Sequence, residues 1–205
     1  MTNTSAFDAP LTIDPDAVLV VIDVQKGFED SAFWGERDNP DAEQRIGELI
    51  TAWETTGRPI VVVQHASAGG PLAPGTPGYE LKDFVAAVEP ALHITKQVNS
   101  AFYGTPDLHA WLQEQGARQV VVAGIITNVC NETTARMAGN LGYDAVFPAD
   151  AMHAFDLTGP DGVTVPAAEL ARATSAVLHA MRFAKVVTTA DVVAAQAART
   201  GAVVS

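Results

Sequence analysis

Three ionisable residues of different chemistry stand at or close to the ends of three predicted strands. Asp23 follows the apolar run at 17–22, Lys96 ends the short strand that begins at Leu92, and Cys130 comes a few residues after the apolar run at 120–123. Apolar, β-branched runs of this length are typical of strands buried on both faces of a parallel sheet. Because parallel strands end at the same edge of a sheet, the carboxylate, the ammonium and the thiol can meet there. A thiol beside a base and a cation is the pattern of a nucleophilic cysteine.

Cys130 is the only cysteine in the sequence, and the pattern places it where a strand gives way to a helix. Gly124 interrupts the apolar run, Thr127 and Asn128 are residue types that begin helices, and a helical pattern continues through Ala138. The positive end of the helix dipole favours a thiolate, so we expect a lowered pKa for Cys130. The backbone N–H of Cys130 would also face an oxyanion formed at that point.

Each of the three residues has an ordinary explanation when it is taken alone. A single cysteine is more often a small buried core residue. Asp23 could cap a helix or pair with a cation, and an isolated Lys96 would be a solvated surface lysine. Their occurrence near three strand ends favours the catalytic interpretation.

The composition limits the class of protein. The chain has 205 residues, 48% hydrophobic and 18% charged, which suits one globular domain with a sizeable core. One cysteine, no signal-peptide pattern and no apolar run long enough for a bilayer lead us to expect a cytoplasmic protein with no membrane partner. A formal charge of -12 argues against nucleic-acid binding. That charge either suits a cationic substrate or only maintains solubility.

The order of the elements predicts an α/β fold. Residues 1–16 read as an N-terminal arm and residues 17–205 as one domain. Six apolar strands alternating with helices predict a three-layer α/β/α architecture with a six-stranded parallel, Rossmann-like sheet. One helix should begin near Thr105, with Pro106 in an early helical position. No GxGxxG or GxxxxGK[ST] motif occurs, so the sequence does not favour a dinucleotide-binding protein or a P-loop NTPase.

Three segments resemble the signature blocks of the isochorismatase-like cysteine hydrolases, a superfamily that includes nicotinamidases, N-carbamoylsarcosine amidases and ureidoacrylate amidases. The segments are VLVVIDVQKGF, ITKQVNSAFYGTPDL and VVVAGIITNVCNETTARMAGNLGYDAVFPADA, and the resemblance covers roughly residues 17–190. It implies the isochorismatase-like hydrolase fold, a homodimer or homotetramer, and a catalytic triad of Asp23, Lys96 and Cys130. It also implies a cis peptide at Ile125–Ile126, which would aim the Ile126 N–H at the oxyanion as a second donor beside that of Cys130.

The sequence departs from the nicotinamidase pattern in the loop after the second strand. Nicotinamidases bind a metal there through Asp-x-His and further histidines, whereas residues 64–67 here are Gln-His-Ala-Ser, followed by glycines and prolines. We therefore expect no metal and no cofactor, with His65 a pocket-lining or structural imidazole. Asn131 stands where the superfamily often has valine.

Side chains from the loops at the same sheet edge are candidates for binding the substrate, although the aromatic ones could equally pack within their loops. These candidates are Gln25, Phe28, Trp34, His65, Asn99, Phe102, Tyr103, Asn128 and His153.

The leading hypothesis is a metal-independent cysteine amidohydrolase. It would cleave an amide, carbamoyl or lactam C–N bond of a small molecule through a thioester on Cys130, and a cationic lactam of the streptothricin type fits the charge. Two alternatives are vinyl-ether hydrolysis of an isochorismate-like acid and a non-catalytic scaffold. Cys130 counts against the first alternative and the intact triad against the second.

Overall fold

A parallel sheet forms the centre of the fold in the computed structural model, which describes residue 7 and residues 9–202, with side chains to residue 197. The strands are β1 (Val18–Ile22), β2 (Ile60–His65), β3 (Leu92–Lys96), β4 (Gln119–Ile125), β5 (Asp144–Pro148), β6 (Met152–His153), β7 (Leu157–Thr158), β8 (Thr164–Val165) and β9 (Lys185–Val187). The α-helices are α1 (Ser31–Trp34), α2 (Ala42–Thr56), α3 (Asp83–Ala86), α4 (Leu108–Glu114), α5 (Glu132–Asn140), α6 (Ala167–Ala180) and α7 (Thr189–Ala202).

The strand order of the central sheet confirms the predicted doubly wound α/β fold. The order is β3-β2-β1-β4-β5-β9, and every pairing in it is parallel. The expected six strands form this path, and the two-residue strand β6 adds a seventh by pairing with β4. A separate antiparallel hairpin, β7–β8, was not expected. The strand order reverses between β1 and β4, because β2 and β3 lie on one side of β1 while β4, β5 and β9 lie on the other. Ligands bind at this switch point in such sheets.

Helices cover both faces of the sheet and divide the core into two parts. On one face α2 buries Ile46, Leu49 and Trp53 against β1 and β4, and α7 adds Val192. On the other face α4, α5 and α6 pack against the opposite side chains of the same strands. The central strands β1 and β4 are therefore buried on both sides, as their continuous apolar runs predicted, whereas His93 and Thr95 of β3 are exposed. Within residues 9–202, none of the helices combines the length and hydropathy needed to cross a bilayer.

Part of the predicted N-terminal arm is integrated into the domain. Residues 1–6 and 8 lie outside the described residues, but Ile13 is fully buried in the core. The Gln119 side chain binds this segment twice, donating from Nε2 to the Thr12 carbonyl at 2.9 Å and accepting from the Asp14 N–H at 2.8 Å. The segment before β1 thus docks on the first residue of β4.

Gly124 does not end the strand, as the sequence suggested, but lies inside β4. Its φ of 139° belongs to a region that favours glycine. A Cβ at this position would lie 2.0 Å from the carbonyl oxygen of Ile22, its register partner in β1. Glycine is therefore required because the two strands that carry the candidate site approach each other too closely for any side chain.

The two predicted helix starts have different outcomes. Helical structure begins at Thr127, as predicted, but as a π-helical turn over Thr127–Asn131 that continues into α5, and neither Thr127 nor Asn128 caps it with a side chain. Pro106 lies outside α4, which begins after Asp107, whose Oδ1 accepts from the Ala110 N–H at 3.0 Å. The side chain that begins α4 is therefore the local cap Asp107, one residue after the proline.

Replacing Gly124 with alanine should destabilise the protein by about 3 kcal/mol or more, because the added methyl group forces β1 and β4 apart. Thermal or urea unfolding measures the change. Gly47 in α2 is the matched control, since a Cβ there meets nothing within 4 Å. Gly47→Ala should stabilise by up to about 1 kcal/mol. Equal effects of the two substitutions would show that strand approach at Gly124 is not limiting.

Candidate active site

Asp23 directly follows β1 and turns sharply out of the strand. Its φ of 54° is left-handed, a conformation that aspartate tolerates better than most residues. The Asp23 N–H donates to the Val63 carbonyl at 2.8 Å, which continues the pairing with β2, while its carbonyl accepts from the Gln25 N–H at 2.8 Å. This turn fixes the direction of the carboxylate, which is fully buried.

Lys96 is the last residue of β3, and its ammonium lies at the centre of the site. Nζ donates to Asp23 Oδ2 at 2.6 Å, to His65 Nδ1 at 2.9 Å and to Cys130 Sγ at 3.4 Å. The residue is 1% exposed. The three side chains that were predicted to converge at the sheet edge are therefore in contact.

Cys130 lies in the π-helical turn after β4 and is buried. Besides Lys96, its sulfur contacts Asn99 Oδ1 at 4.0 Å. A carboxylate oxygen of Asp23, a ring nitrogen of His65 and the Cys130 sulfur all lie within 4.8 Å of one another. The arrangement puts a thiol, a base and a cation within reach of one reacting carbon.

The electrostatics of the thiol differ from the sequence-based expectation. Burial, the largest cause, and the negative charge of Asp23 together raise the pKa of Cys130 to about 12, although the Lys96 ammonium acts to lower it. Burial also raises the pKa of Asp23, against the charge of Lys96. The expected thiolate is thus not the resting form: at neutral pH the sulfur keeps its proton until a base removes it.

The oxygen of Asp23 that does not bind Lys96 is free to act as this base. Oδ1 is buried and has no hydrogen-bond partner among the described residues. Other buried polar side-chain atoms also lack such partners. They belong to three residues of the π-helical turn and one of β6, namely Thr127, Asn128, Asn131 and His153. Buried polar groups normally bind protein, water or ligand, so their concentration here is typical of a binding site.

The backbone around the oxyanion position is held by the turn itself. The cis peptide implied by the resemblance lies at Ile125–Ile126. In the next peptide along the chain, the Ile126 carbonyl accepts from the N–H groups of Val129 at 3.3 Å and Asn131 at 3.2 Å, so the backbone directly after the cis bond is held against the π-helical turn. That contact orients the segment whose N–H groups were predicted to bind the oxyanion.

The side chain of Gln25, which was predicted to bind a substrate, forms hydrogen bonds with main-chain groups of the protein. Its Oε1 accepts from the His65 N–H at 2.8 Å, and its Nε2 donates to the carbonyls of His65 at 3.1 Å and Tyr79 at 2.8 Å. The amide is buried and its hydrogen-bonding groups are engaged. Gln25 therefore joins the end of β1 to the end of β2 and holds His65 in place.

Phe28 and Trp34, two predicted pocket residues, form an aromatic cluster with Phe155. The ring centroids of Phe28 and Trp34 are 4.9 Å apart, and those of Trp34 and Phe155 are 5.5 Å apart. Phe28 and Phe155 also line a cavity of about 200 Å³, together with Glu29, Ser31, Gly35, Glu36 and Arg37. Trp34 donates from Nε1 to the Gly27 carbonyl at 2.9 Å. Phe28 thus lines a cavity and Trp34 packs against it, and the predicted contact of both residues with a substrate stays a prediction.

The remaining predicted binding residues have different surroundings. Phe102 is buried and stacks on Tyr143 at 5.9 Å, whereas Tyr103 is 69% exposed. Asn128 is half-buried in the same π-helical turn as Cys130. His153 is fully buried with its ring edge-on to Phe155 at 5.0 Å, and burial lowers its pKa to about 4. Of this group, Asn128 and His153 bring unpartnered polar atoms to the site.

The residues present do not suit a metal ion while Lys96 is protonated. Asp23, His65 and Cys130 are ligand types whose donor atoms are close enough to share one ion. The Lys96 ammonium, however, already contacts all three of these side chains. A metal would have to displace a cation that is hydrogen-bonded to each of its ligands.

With this geometry established, the relationship to known proteins is informative. The family model for the isochorismatase domain matches residues 17–191. The chain belongs to the isochorismatase family. It is 36% identical over 173 residues to the uncharacterized isochorismatase family protein YrdC of Bacillus subtilis, covering 83% of this chain and 91% of that protein.

Two family members with named activities are also similar. A streptothricin hydrolase of Streptomyces noursei is 32% identical over 180 residues, covering 82% of this chain and 68% of the other. The ureidoacrylate amidohydrolase RutB of Methylorubrum extorquens is 30% identical over 181 residues, covering 70% and 73%.

Solved structures of the isochorismatase family share the fold. A family member from Chromobacterium violaceum superposes with a TM-score of 0.86 at 36% identity, covering 92% of this chain and 98% of that one. A cysteine hydrolase from Pseudomonas syringae gives a TM-score of 0.81 at 25% identity, covering 93% and 99%.

Sequence reasoning missed the contact between His65 and Lys96. The two residues are register partners at the ends of the neighbouring parallel strands β2 and β3. Both strands end in a polar residue, and this shared feature was the signal in the sequence that could have indicated the contact. It could not be used before the pairing of β2 with β3 was known.

Iodoacetamide labelling of Cys130 should have its pH midpoint far above the value of about 8.5 for a free thiol. At pH 8.5 the native chain should react at least about 100-fold more slowly than the chain in guanidinium chloride, because little thiolate is present. Intact-protein mass spectrometry gives both rates. Simple shielding would lower the native rate equally at every pH, whereas a raised pKa makes the native rate continue to rise through pH 10.

Zinc should bind stoichiometrically only after Lys96 is removed. The Lys96→Met variant leaves Asp23, His65 and Cys130 without the ammonium, and we expect it to retain one zinc ion after desalting. The wild-type chain should retain none, and dialysis against EDTA should leave its activity unchanged. Elemental analysis measures the metal. A stoichiometric ion in the wild-type chain would contradict this account.

Proposed function

We propose that this isochorismatase-family hydrolase is a metal-independent cysteine amidohydrolase. It would cleave the C–N bond of a small amide, carbamoyl compound or lactam through a thioester on Cys130. The observation that carries the proposal is the Lys96 ammonium bridging Asp23 Oδ2 and Cys130 Sγ, with Asp23 Oδ1 left unpartnered. A base with an open lone pair, close to a protonated thiol, is suited to remove the thiol proton as the sulfur attacks.

In the first half of the reaction, Sγ attacks the carbonyl carbon while its proton passes to Asp23 Oδ1. The carbonyl oxygen becomes an oxyanion, which the backbone N–H groups of Ile126 and Cys130 would bind. Collapse of this intermediate breaks the C–N bond, and Asp23 returns the proton to the departing nitrogen. The products of this half are a free amine or ammonia and a thioester on Cys130.

In the second half, Asp23 accepts a proton from water, and the resulting hydroxide attacks the thioester carbon. The new tetrahedral intermediate expels the Cys130 sulfur, which recovers its proton from Asp23. The acid product leaves and the site is restored. The Lys96 ammonium stabilises negative charge first on Asp23 and then on the sulfur.

The two related enzymes support C–N cleavage. The names of the streptothricin hydrolase and the ureidoacrylate amidohydrolase both refer to hydrolysis of nitrogen-containing compounds. A cationic lactam of the streptothricin type also fits the formal charge of -12. We therefore place such lactams, ureido acids and simple primary amides in the first substrate panel.

Cys130→Ala should abolish release of amine or ammonia from every compound that the wild-type chain hydrolyses, a loss of about 1,000-fold or more in kcat. Asp23→Asn keeps the shape of the side chain but cannot take the proton, and should be comparably inactive. An acyl adduct on Cys130 should appear in intact-protein mass spectra of the wild type during turnover.

The controls separate this function from its alternatives. Circular dichroism and thermal unfolding verify that each variant is folded. Isochorismate consumption with no amide turnover would support the vinyl-ether hydrolase, and no turnover of either class would support the scaffold. Undiminished activity of Cys130→Ala would exclude the sulfur as nucleophile.

A further inference from the structure

The proposed chemistry uses two of the three contacts of Lys96 and leaves the third without a task. Nζ donates to His65 Nδ1 at 2.9 Å, which is shorter than its 3.4 Å contact with the nucleophilic sulfur. His65 Nδ1 also lies 4.0 Å from Asp23 Oδ2, the oxygen bound to the same ammonium. His65 therefore belongs to the group that surrounds the cation.

The number of donors on Lys96 matches the number of acceptors around it. A lysine ammonium carries three N–H groups and no acceptor. Asp23 Oδ2, His65 Nδ1 and Cys130 Sγ supply one acceptor each, and the ammonium is almost fully buried. Removal of any one acceptor would leave a buried, charged N–H without a partner, which is costly.

The contact defines the protonation state of the imidazole. Because Lys96 can only donate, Nδ1 must be unprotonated, and the ring proton is on Nε2. Burial lowers the pKa of His65 and the charge of Lys96 lowers it further, while the charge of Asp23 acts in the opposite direction. The charged and titratable groups that face the ring are Asp23, Lys96 and Cys130. At neutral pH the ring is therefore a neutral acceptor.

The backbone holds the ring where it can serve as that acceptor. Gln25 binds both the N–H and the carbonyl of His65, and β2 places His65 in register with Lys96. The backbone position of His65, from which the ring extends, is consequently fixed by two strands and one buried amide. A side chain whose only role was to contact substrate would have no need of this support.

We propose that His65 is a positioning residue that holds the Lys96 ammonium between Asp23 and Cys130 by accepting its third N–H at Nδ1. The inference rests on the proposed function, in which that ammonium must stay in contact with both residues. Without the acceptor, the ammonium would move toward another acceptor or water and loosen its contacts with the carboxylate and the sulfur. The pKa of Asp23, which Lys96 lowers, would then rise.

Two variants separate the acceptor from the bulk of the ring. His65→Phe keeps the ring and removes both nitrogens, whereas His65→Asn loses the ring but can present an oxygen near the position of Nδ1. His93 in β3 is the matched control, since this exposed histidine contacts Gln64 and not the site. His93→Phe should behave as the wild type.

We expect His65→Phe to lower kcat about 10- to 100-fold with little change in KM. The acid limb of its kcat/KM profile should move to higher pH, because activity requires ionised Asp23 and is lost as the pH falls through a pKa that is now higher. His65→Asn should retain most of the activity and the wild-type limb. A raised KM with unmoved limbs in both variants, or an active Phe variant beside an inactive Asn variant, would overturn the proposal.

Alkylation of Cys130 tests the same idea without a substrate. At a fixed alkaline pH, iodoacetamide should label His65→Phe several-fold more slowly than the wild type, because Lys96 then stabilises the thiolate less. His65→Asn should label like the wild type. If the variants label in this order but the chain hydrolyses no amide, the positioning role of His65 is retained and the proposed function is rejected. If the chain is an active amidase but the variants label at equal rates and have equal pH limbs, the proposed function is retained and the positioning role is rejected.

Discussion

The buried ammonium of Lys96 is the interaction on which the candidate site depends. Transferring a charge from water to a protein interior is costly, and the cost is tolerated only where the charge is paired and each of its donors has an acceptor. Lys96 meets this condition through Asp23, His65 and Cys130. These side chains follow or end three neighbouring strands. Hydrogen bonds from one cation therefore connect the C-terminal ends of β1, β2 and β4 with the end of β3. The site is assembled by the need to neutralise that cation.

Backbone features bring these groups close enough. Gly124 lets β4 approach β1 at the point where the strand order reverses. The left-handed conformation of Asp23 turns the carboxylate out of its strand. The π-helical turn after β4 places Cys130 above the same edge, and Gln25 joins the turn after β1 to His65. Each feature is local, but each is required only because the strands are neighbours in this order.

The charge state of the site indicates how it would control reactivity. A cysteine at the start of a helix could be expected to rest as a thiolate, but burial and the neighbouring carboxylate hold its proton. In the proposed mechanism, nucleophilic sulfur then forms only when Asp23 takes that proton during attack on a bound carbonyl. Because oxidation of cysteine follows its thiolate character, a protonated resting thiol is also protected from adventitious oxidants.

The sequence alone determined the fold class and predicted that Asp23, Lys96 and Cys130 would meet, because buried parallel strands leave apolar runs and these three residues lie near strand ends. The order of the strands, the contact of His65 with Lys96, the role of Gln25 and the direction of the Cys130 pKa depended on the tertiary structure. Strand neighbours, burial and the distances between charges arise from residues far apart in the chain, and no local pattern records them. Gly124 illustrates the difference: the sequence marked a break, and only the neighbouring strand β1 showed that the glycine permits close packing.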